Sequence, residues 1–255
     1  MWVSVQRCVV GAALLVLGSS AHAAGVPDDC TQLLVGTAAG WDSTRGQLRL
    51  FERPRGGQWT PRGPAIPVLF GRKGIAWGTG LAGQNEPGLR KKERDGRAPA
   101  GIFRLGKVYT YDKQLPAGSD YPFHTVTDAD VWSDDPRSPN YNRHMIIDPD
   151  NPPDNYSRER MRPDDFAYRW LIEVRHNSDP PIPGDGSAIF FHIRRGVNRP
   201  SVGCTTMAEQ DLVRVIRWLR APANPCYALL PVEEYKEKWQ PWNLPPPTFV
   251  PAKQL

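Results

Sequence analysis

The chain has only four cysteines in 255 residues, and neither they nor its five histidines show a Cys-x-x-Cys or His-x-x-x-His spacing. A cysteine-dense scaffold is excluded, and no metal site or cofactor is expected from local spacing. A Gly-x-x-x-x-Gly-Lys-Ser/Thr run is also missing, which removes the phosphate-cradling loop of nucleotide enzymes. After the first twenty-five or so residues no apolar run approaches the ~20 residues that span a bilayer, so no integral membrane segment is expected beyond them. Charge of one sign is nowhere concentrated. The net charge is +5, yet basic residues alternate with acids, as in "RKKERDGR" and "SRERMRPDD", a pattern of solvated surface that gives no footprint for a nucleic-acid partner. Internal repeats and a linker between two domains are absent as well.

Proline (27), glycine (23) and tryptophan (9) are abundant, and 40% of the residues are hydrophobic, enough for a sizeable core. Short apolar runs between turn residues predict a mostly β domain. The opening "MWVSVQRCVVGAALLVLGSSAHAAG" has a single positive charge, a short apolar stretch and the small-x-small triplet Ala21-His22-Ala23. That is the order of a secretory signal peptide over residues 1–23. The expected catalytic or binding domain runs from 24 to 240, and 241–255 is a proline-rich tail. Removal of the leader leaves Cys30, Cys204 and Cys226. An odd number in an oxidising compartment suggests one bridge and one free thiol, and the proximity of chain ends favours Cys30–Cys226, with Cys204–Cys226 the alternative.

From Thr31 to Phe70 the runs "TQLLVG", "QLRLFER" and "PAIPVLF" read as a β-meander, with Leu48 and Leu50 alternating against Gln47 and Arg49. "AGIFRLGKVYT" and "FAYRWLIEVRH" are further strands, the second presenting Phe166, Tyr168, Trp170 and Ile172 on one face. Between them lies a long polar excursion containing Trp132, Asp134 and His144. Such an excursion either contacts substrate or folds on itself through Asx turns. One strong helix follows Cys204, with Leu212, Val215, Ile216 and Leu219 at helical spacing and Thr206-x-x-Glu209 predicted to cap it; Pro222 ends it, and a shorter helix is expected at "VEEYKEKW".

In "SAIFFHIRRGVNRPSVGCTTM", His192 lies near the end of an apolar strand and Cys204 lies twelve residues on, just before that helix. Three readings of Cys204 stand at this point: half of a disulfide, a small buried hydrophobe, or a nucleophile with His192 as its base. A thiol at a helix start is biased towards thiolate, and the amides of Gly203 and Cys204 are placed to receive an oxyanion. Arg194 and Arg195 either hold substrate carboxylates or solvate the loop.

This segment resembles the active site of YkuD-type L,D-transpeptidases, in which a strand-end His is followed by a loop and Ser-x-Gly-Cys. "KKERDGRAPAGIFRLG" is similar to the Gly-Arg-x-Pro-x-Gly-x-Phe turn and strand of the same family. The resemblance covers most of the mature chain and implies a β-sandwich or barrel with one helix after the nucleophile. It implies that Cys204 attacks peptidoglycan stem peptides, that His192 is the base, and that Gly203 and Ser201 shape the oxyanion loop, with no metal or organic cofactor. Export to the periplasm follows from the leader and this activity together. The chain departs from many members in having Ile193-Arg194 after the base and Thr206 two positions beyond the nucleophile. An L,D-carboxypeptidase or other amide hydrolase of the same fold, and a non-catalytic wall-binding protein, are the competing expectations.

Overall fold

The computed structural model describes Met1 and residues 25–249; apart from Met1 the expected leader over 1–23 lies outside the described residues, as do residues 250–255 of the expected tail. Its strands are β1 (Gln32–Ala38), β2 (Arg45–Glu52), β3 (Thr60–Leu69), β4 (Ile75–Trp77), β5 (Ala98–Thr110), β6 (Phe123–Thr125), β7 (Asp130–Trp132), β8 (His144–Ile146), β9 (Trp170–Val174), β10 (Phe190–Ile193), β11 (Thr205–Met207) and β12 (Cys226–Pro231). Helices α1 (Tyr156–Glu159), α2 (Glu209–Trp218) and α3 (Val232–Lys238) complete the framework.

The expected meander is present: β1, β2 and β3 pair antiparallel in sequence order. From β3 the sheet continues through β11, β10, β9 and β5, and β5 also pairs with β12, which lies parallel to β1. The sheet thereby closes on itself as a barrel, and closure removes exposed edges. Pairing of β1 with β12 brings Leu33 opposite Cys226 and so joins the two ends of the domain. Fully buried Leu33, Phe51, Ile66, Phe103, Phe191 and Tyr227 fill the interior.

The helix after Cys204 forms with Leu212, Val215, Ile216 and Leu219 fully buried, as their spacing predicts. Its start differs from expectation. Thr205–Met207 is drawn into β11, where Thr206 pairs with His192, and the helix begins at Glu209 with Ala208 before it and no side-chain cap. Strand pairing engages the backbone of Thr205–Met207 and so removes it from the helix start. The helix ends at Trp218, ahead of Pro222. Phe166 also differs: Phe166–Tyr168 is a short 3-10 turn, initiated by Asp165 accepting from the Ala167 amide at 2.9 Å, and strand character begins only at Trp170. Phe166 is consequently exposed while Trp170 and Ile172 are buried.

The long excursion folds on itself. Asp135 and Asp148 make Asx turns to the amides of Arg137 and Asp150, while β7 and β8 pair as a separate two-stranded sheet. At the other end, the proline-rich segment packs on the barrel through buried Trp242 and Leu244, with the Phe249 ring edge-on to Phe51 at 5.7 Å. No helix among the described residues is long and apolar enough to cross a membrane.

Candidate active site

β10 and β11 run parallel with Phe191 opposite Thr205 and His192 opposite Thr206. Extending that register back by one residue sets Cys204 beside Phe190, and the Phe190 amide donates to the Cys204 Sγ at 3.4 Å. Phe190 and His192, two residues apart on one strand, share a face. Cys204 and His192 are therefore diagonal neighbours on one face of the sheet. The thiol donates to the Ala188 carbonyl at 3.5 Å in this structure rather than to the imidazole. Ala188 adopts a left-handed conformation (φ 53°) two residues before β10, and its carbonyl faces the thiol.

His192 is buried, and its Nδ1 lies 2.9 Å from the Ile193 carbonyl. A carbonyl only accepts, so Nδ1 carries the proton and Nε2 is the basic nitrogen. The Tyr168 ring packs edge-on against the imidazole at 5.3 Å. Arg195 lies over Tyr168, 5.0 Å from its centroid, and pairs with Asp165 at 2.6 Å. Burial pushes the His192 pKa down to about 4 and the Cys204 thiol up to about 11. The resting pair is a neutral thiol and a neutral imidazole. The thiolate expected from a helix N-terminus is thus corrected, since β11 separates Cys204 from α2 and burial outweighs the field of the helix.

Ser201 organises the nucleophile loop. Its Oγ donates to the Cys204 carbonyl at 2.5 Å, accepts from the Gly203 amide at 3.0 Å and lies 3.3 Å from the Phe70 carbonyl. The Gly203 amide, expected to be free, is engaged by this hydroxyl. Gly203 itself lies close to the turn leading into β5, where an added Cβ would stand 3.2 Å from the Arg97 carbonyl. Beneath the loop, buried Lys91 pairs with Asp95 at 2.7 Å, and Asp95 also accepts from the Lys92 and Arg97 amides. The Asp95–Phe103 stretch is thereby placed under the site.

A cleft with about 500 Å³ of empty space opens above Cys204, lined in part by Trp132, Asp134, Glu159, Tyr168 and Phe190. Trp132 packs edge-on to Phe190 at 4.9 Å. Asp134 pairs with Arg158 at 2.8 Å, and buried Glu159 accepts from the Ser133 hydroxyl and the Asp134 amide. Trp132 and Asp134, named from the sequence as candidate substrate contacts, both line this cleft. Arg195 stands behind Tyr168. Arg194 lines a different cavity, with Arg45 and Asn198, on the far side of the loop. His144 is also outside the cleft, stacked behind Trp132 at 6.4 Å. Tyr168, Lys91 and Glu159 were missed: each is distant in sequence from Cys204, and only Tyr168 carried a signal, as part of an aromatic alternation.

Residues 41–232 of the 255 match the family description "L,D-transpeptidase catalytic domain", YkuD. The chain belongs to the YkuD family. No curated protein and no solved structure gave a significant match. The mostly β barrel and the clustering of the Ser-x-Gly-Cys loop with the His192 strand agree with that membership, and the YkuD family acts on peptidoglycan.

Two expectations about other side chains differ from the structure. Cys30 and Cys226 are buried free thiols, Cys30 donating to the Gln32 carbonyl at 3.2 Å and Cys226 facing the Asn224 carbonyl at 3.7 Å, so the expected bridge is not formed although Leu33 on β1 lies opposite Cys226 on β12. Cys204 is paired with neither, and the Cys204–Cys226 alternative falls away. The absence of a metal motif also reflected spacing alone, since the fold brings His124, Asp130 and His144 to within 4.8 Å of one another.

Proposed function

We propose that the protein is an exported L,D-transpeptidase in which Cys204 is acylated by a peptidoglycan stem peptide and His192 moves the proton. The observation that carries this reading is a half-buried thiol at a cleft floor, on the same sheet face as an imidazole whose Nε2 is left basic by the Nδ1 to Ile193 hydrogen bond. Substrate entry displaces water, and the thiol rotates from the Ala188 carbonyl towards Nε2. Sγ then bonds to the carbonyl carbon of the L,D-peptide bond as its proton passes to Nε2. Collapse of the tetrahedral adduct breaks the C–N bond, and His192 returns that proton to the departing D-amino acid. The thioester is next attacked by an acceptor amine, whose proton goes to Nε2 and then back to the released thiol.

With the Gly203 amide held by Ser201, the backbone amide of Cys204 is the candidate oxyanion donor. Asp134 and Glu159 offer anionic groups to the ammonium of a diamino acid, and Arg158 offers a guanidinium to a stem carboxylate. Incubation with a tetrapeptide stem and an amine acceptor tests the whole sequence. Release of the terminal D-alanine with formation of crosslinked dimer is expected, and both are lost in Cys204→Ala. Shortened monomer without dimer would assign the protein as an L,D-carboxypeptidase. A carbapenem mass adduct present in wild type and absent in Cys204→Ala checks acylation independently, and an unchanged adduct in the variant would sink the assignment of the nucleophile.

A further inference from the structure

His124 on β6, Asp130 on β7 and His144 on β8 are brought together from three strands. Both imidazoles direct Nε2 at the same carboxylate oxygen, Oδ1 of Asp130, each at 2.6 Å. The other oxygen is fixed: Oδ2 accepts from the Thr127 amide and hydroxyl, each at 2.7 Å. The rings are held in place by their neighbours. Tyr109 meets His124 edge-on at 5.9 Å and His144 at 5.1 Å, and Trp132 stacks on His144. The side chains of His124 and His144 are 28% and 17% exposed, which leaves a path for an ion and a water molecule.

Two convergent imidazole nitrogens and one oriented carboxylate oxygen, open to solvent on one side, make an N,N,O donor set of the kind that suits zinc. A Thr127-anchored carboxylate supplies the outer support such sites use. We propose that His124, Asp130 and His144 bind a divalent transition cation of the Zn²⁺ class, with water completing a four-coordinate shell. Bond lengths of about 2.0–2.2 Å place tetrahedral ligand atoms about 3.3 Å apart. The two Nε2 to Oδ1 separations must therefore open by less than an ångström, which side-chain rotation provides, while each imidazole proton shifts to Nδ1. The ion would join β6, which pairs with β5 of the barrel, to the β7–β8 flap. That flap carries Trp132 and Asp134 into the cleft above Cys204, so the ion would hold the flap without touching the reacting thiol.

Chelator-treated wild-type protein titrated with Co²⁺ tests this. One saturating equivalent with the visible bands of a four- or five-coordinate site is expected, displaced by Zn²⁺ and unchanged in Cys204→Ala. His124→Ala and His144→Ala should each weaken binding by at least about 100-fold. Zn²⁺ should raise the melting temperature of the wild type and leave that of Asp130→Asn unmoved. The wild-type titration needs no variant to fold. A folded wild type without a protein-bound Co²⁺ spectrum at millimolar Co²⁺ would make the cluster a hydrogen-bonded triad only and overturn the proposal. A spectrum that persists in His144→Ala and disappears in Cys204→Ala would place the ion on the thiol and overturn it equally.

Discussion

Removal from water favours the neutral form of the Cys204 thiol, while the Phe190 amide and the charges of Lys91 and Arg195 favour the thiolate; the balance is a pKa of about 11. A thiol is nucleophilic only when deprotonated, so reactivity should grow as pH rises towards that value. Iodoacetamide alkylation of Cys204, followed by mass, should accelerate about tenfold per pH unit above pH ~7 and level off only near pH ~11. An inflection between pH ~5 and ~7 would instead indicate a resting thiolate–imidazolium pair. Ser201 bears on the same atom through the backbone. Ser201→Ala leaves the Gly203 amide without its hydroxyl acceptor and the Cys204 carbonyl without its donor, at a cost of roughly 1–3 kcal/mol. Acylation should slow in the folded variant, and Ser201→Thr, which keeps the hydroxyl, should recover part of it; equal carbapenem acylation rates in all three proteins would remove Ser201 from this role.

The strand β11 and the helix α2 divide a segment that local pattern assigns wholly to a helix start. As a capping residue Thr206 would be worth about 1 kcal/mol, but its hydroxyl is buried in β11 and has no hydrogen-bond partner. Replacement by valine removes an unsatisfied polar group and retains the branched shape. Thr206→Val should therefore melt in urea no earlier than wild type, whereas a midpoint lower by the equivalent of ~1 kcal/mol would restore the capping role. The turn into β5 makes the opposite case. Asp95 neutralises Lys91, whose side chain is only 4% exposed, and ties two backbone amides. Asp95→Asn should cost about 2–3 kcal/mol by leaving a buried ammonium without its counter-charge, measurable as a lower urea midpoint with unchanged slope.

At the scale of the whole molecule, burial bears on the charge of His176 and His192. His176 is enclosed, with Nδ1 accepting from the Thr79 amide and Nε2 donating to the Asp185 carbonyl, and burial lowers its pKa, like that of His192, to about 4. An unfolded histidine titrates near pH ~6.5, so below that value the unfolded chain binds more protons than the folded one. Stability should consequently be level with respect to these groups above pH ~6.5 and fall as pH drops towards ~4, by up to about 1.4 kcal/mol per pH unit for each. Melting temperatures across that window provide the check. A flat profile would mean that both rings accept a proton in place.

Much of the barrel was legible in the sequence because its determinants are local: alternation in β2, the 3.6-residue period of α2, and turn residues between β1, β2 and β3. Cys204 and His192 were legible for a related reason, since one strand–loop–strand unit presents both within twelve residues. Other features depended on tertiary structure. Pairing with β10 drew Thr206 out of the helix start, because a buried backbone must satisfy its hydrogen bonds wherever partners stand. Packing of the excursion onto the barrel brought Trp132 and Glu159 to the cleft and His124 to Asp130 and His144, none of which are at a spacing that a local motif records. Composition and periodicity thus determined that the chain forms a mostly β domain with a thiol and an imidazole close by in sequence, because those signals act over a few residues. The charge state of the thiol, the walls of its cleft and the convergence of the two histidines on Asp130 were decided by the folded structure, because burial and contact between distant segments exist only there.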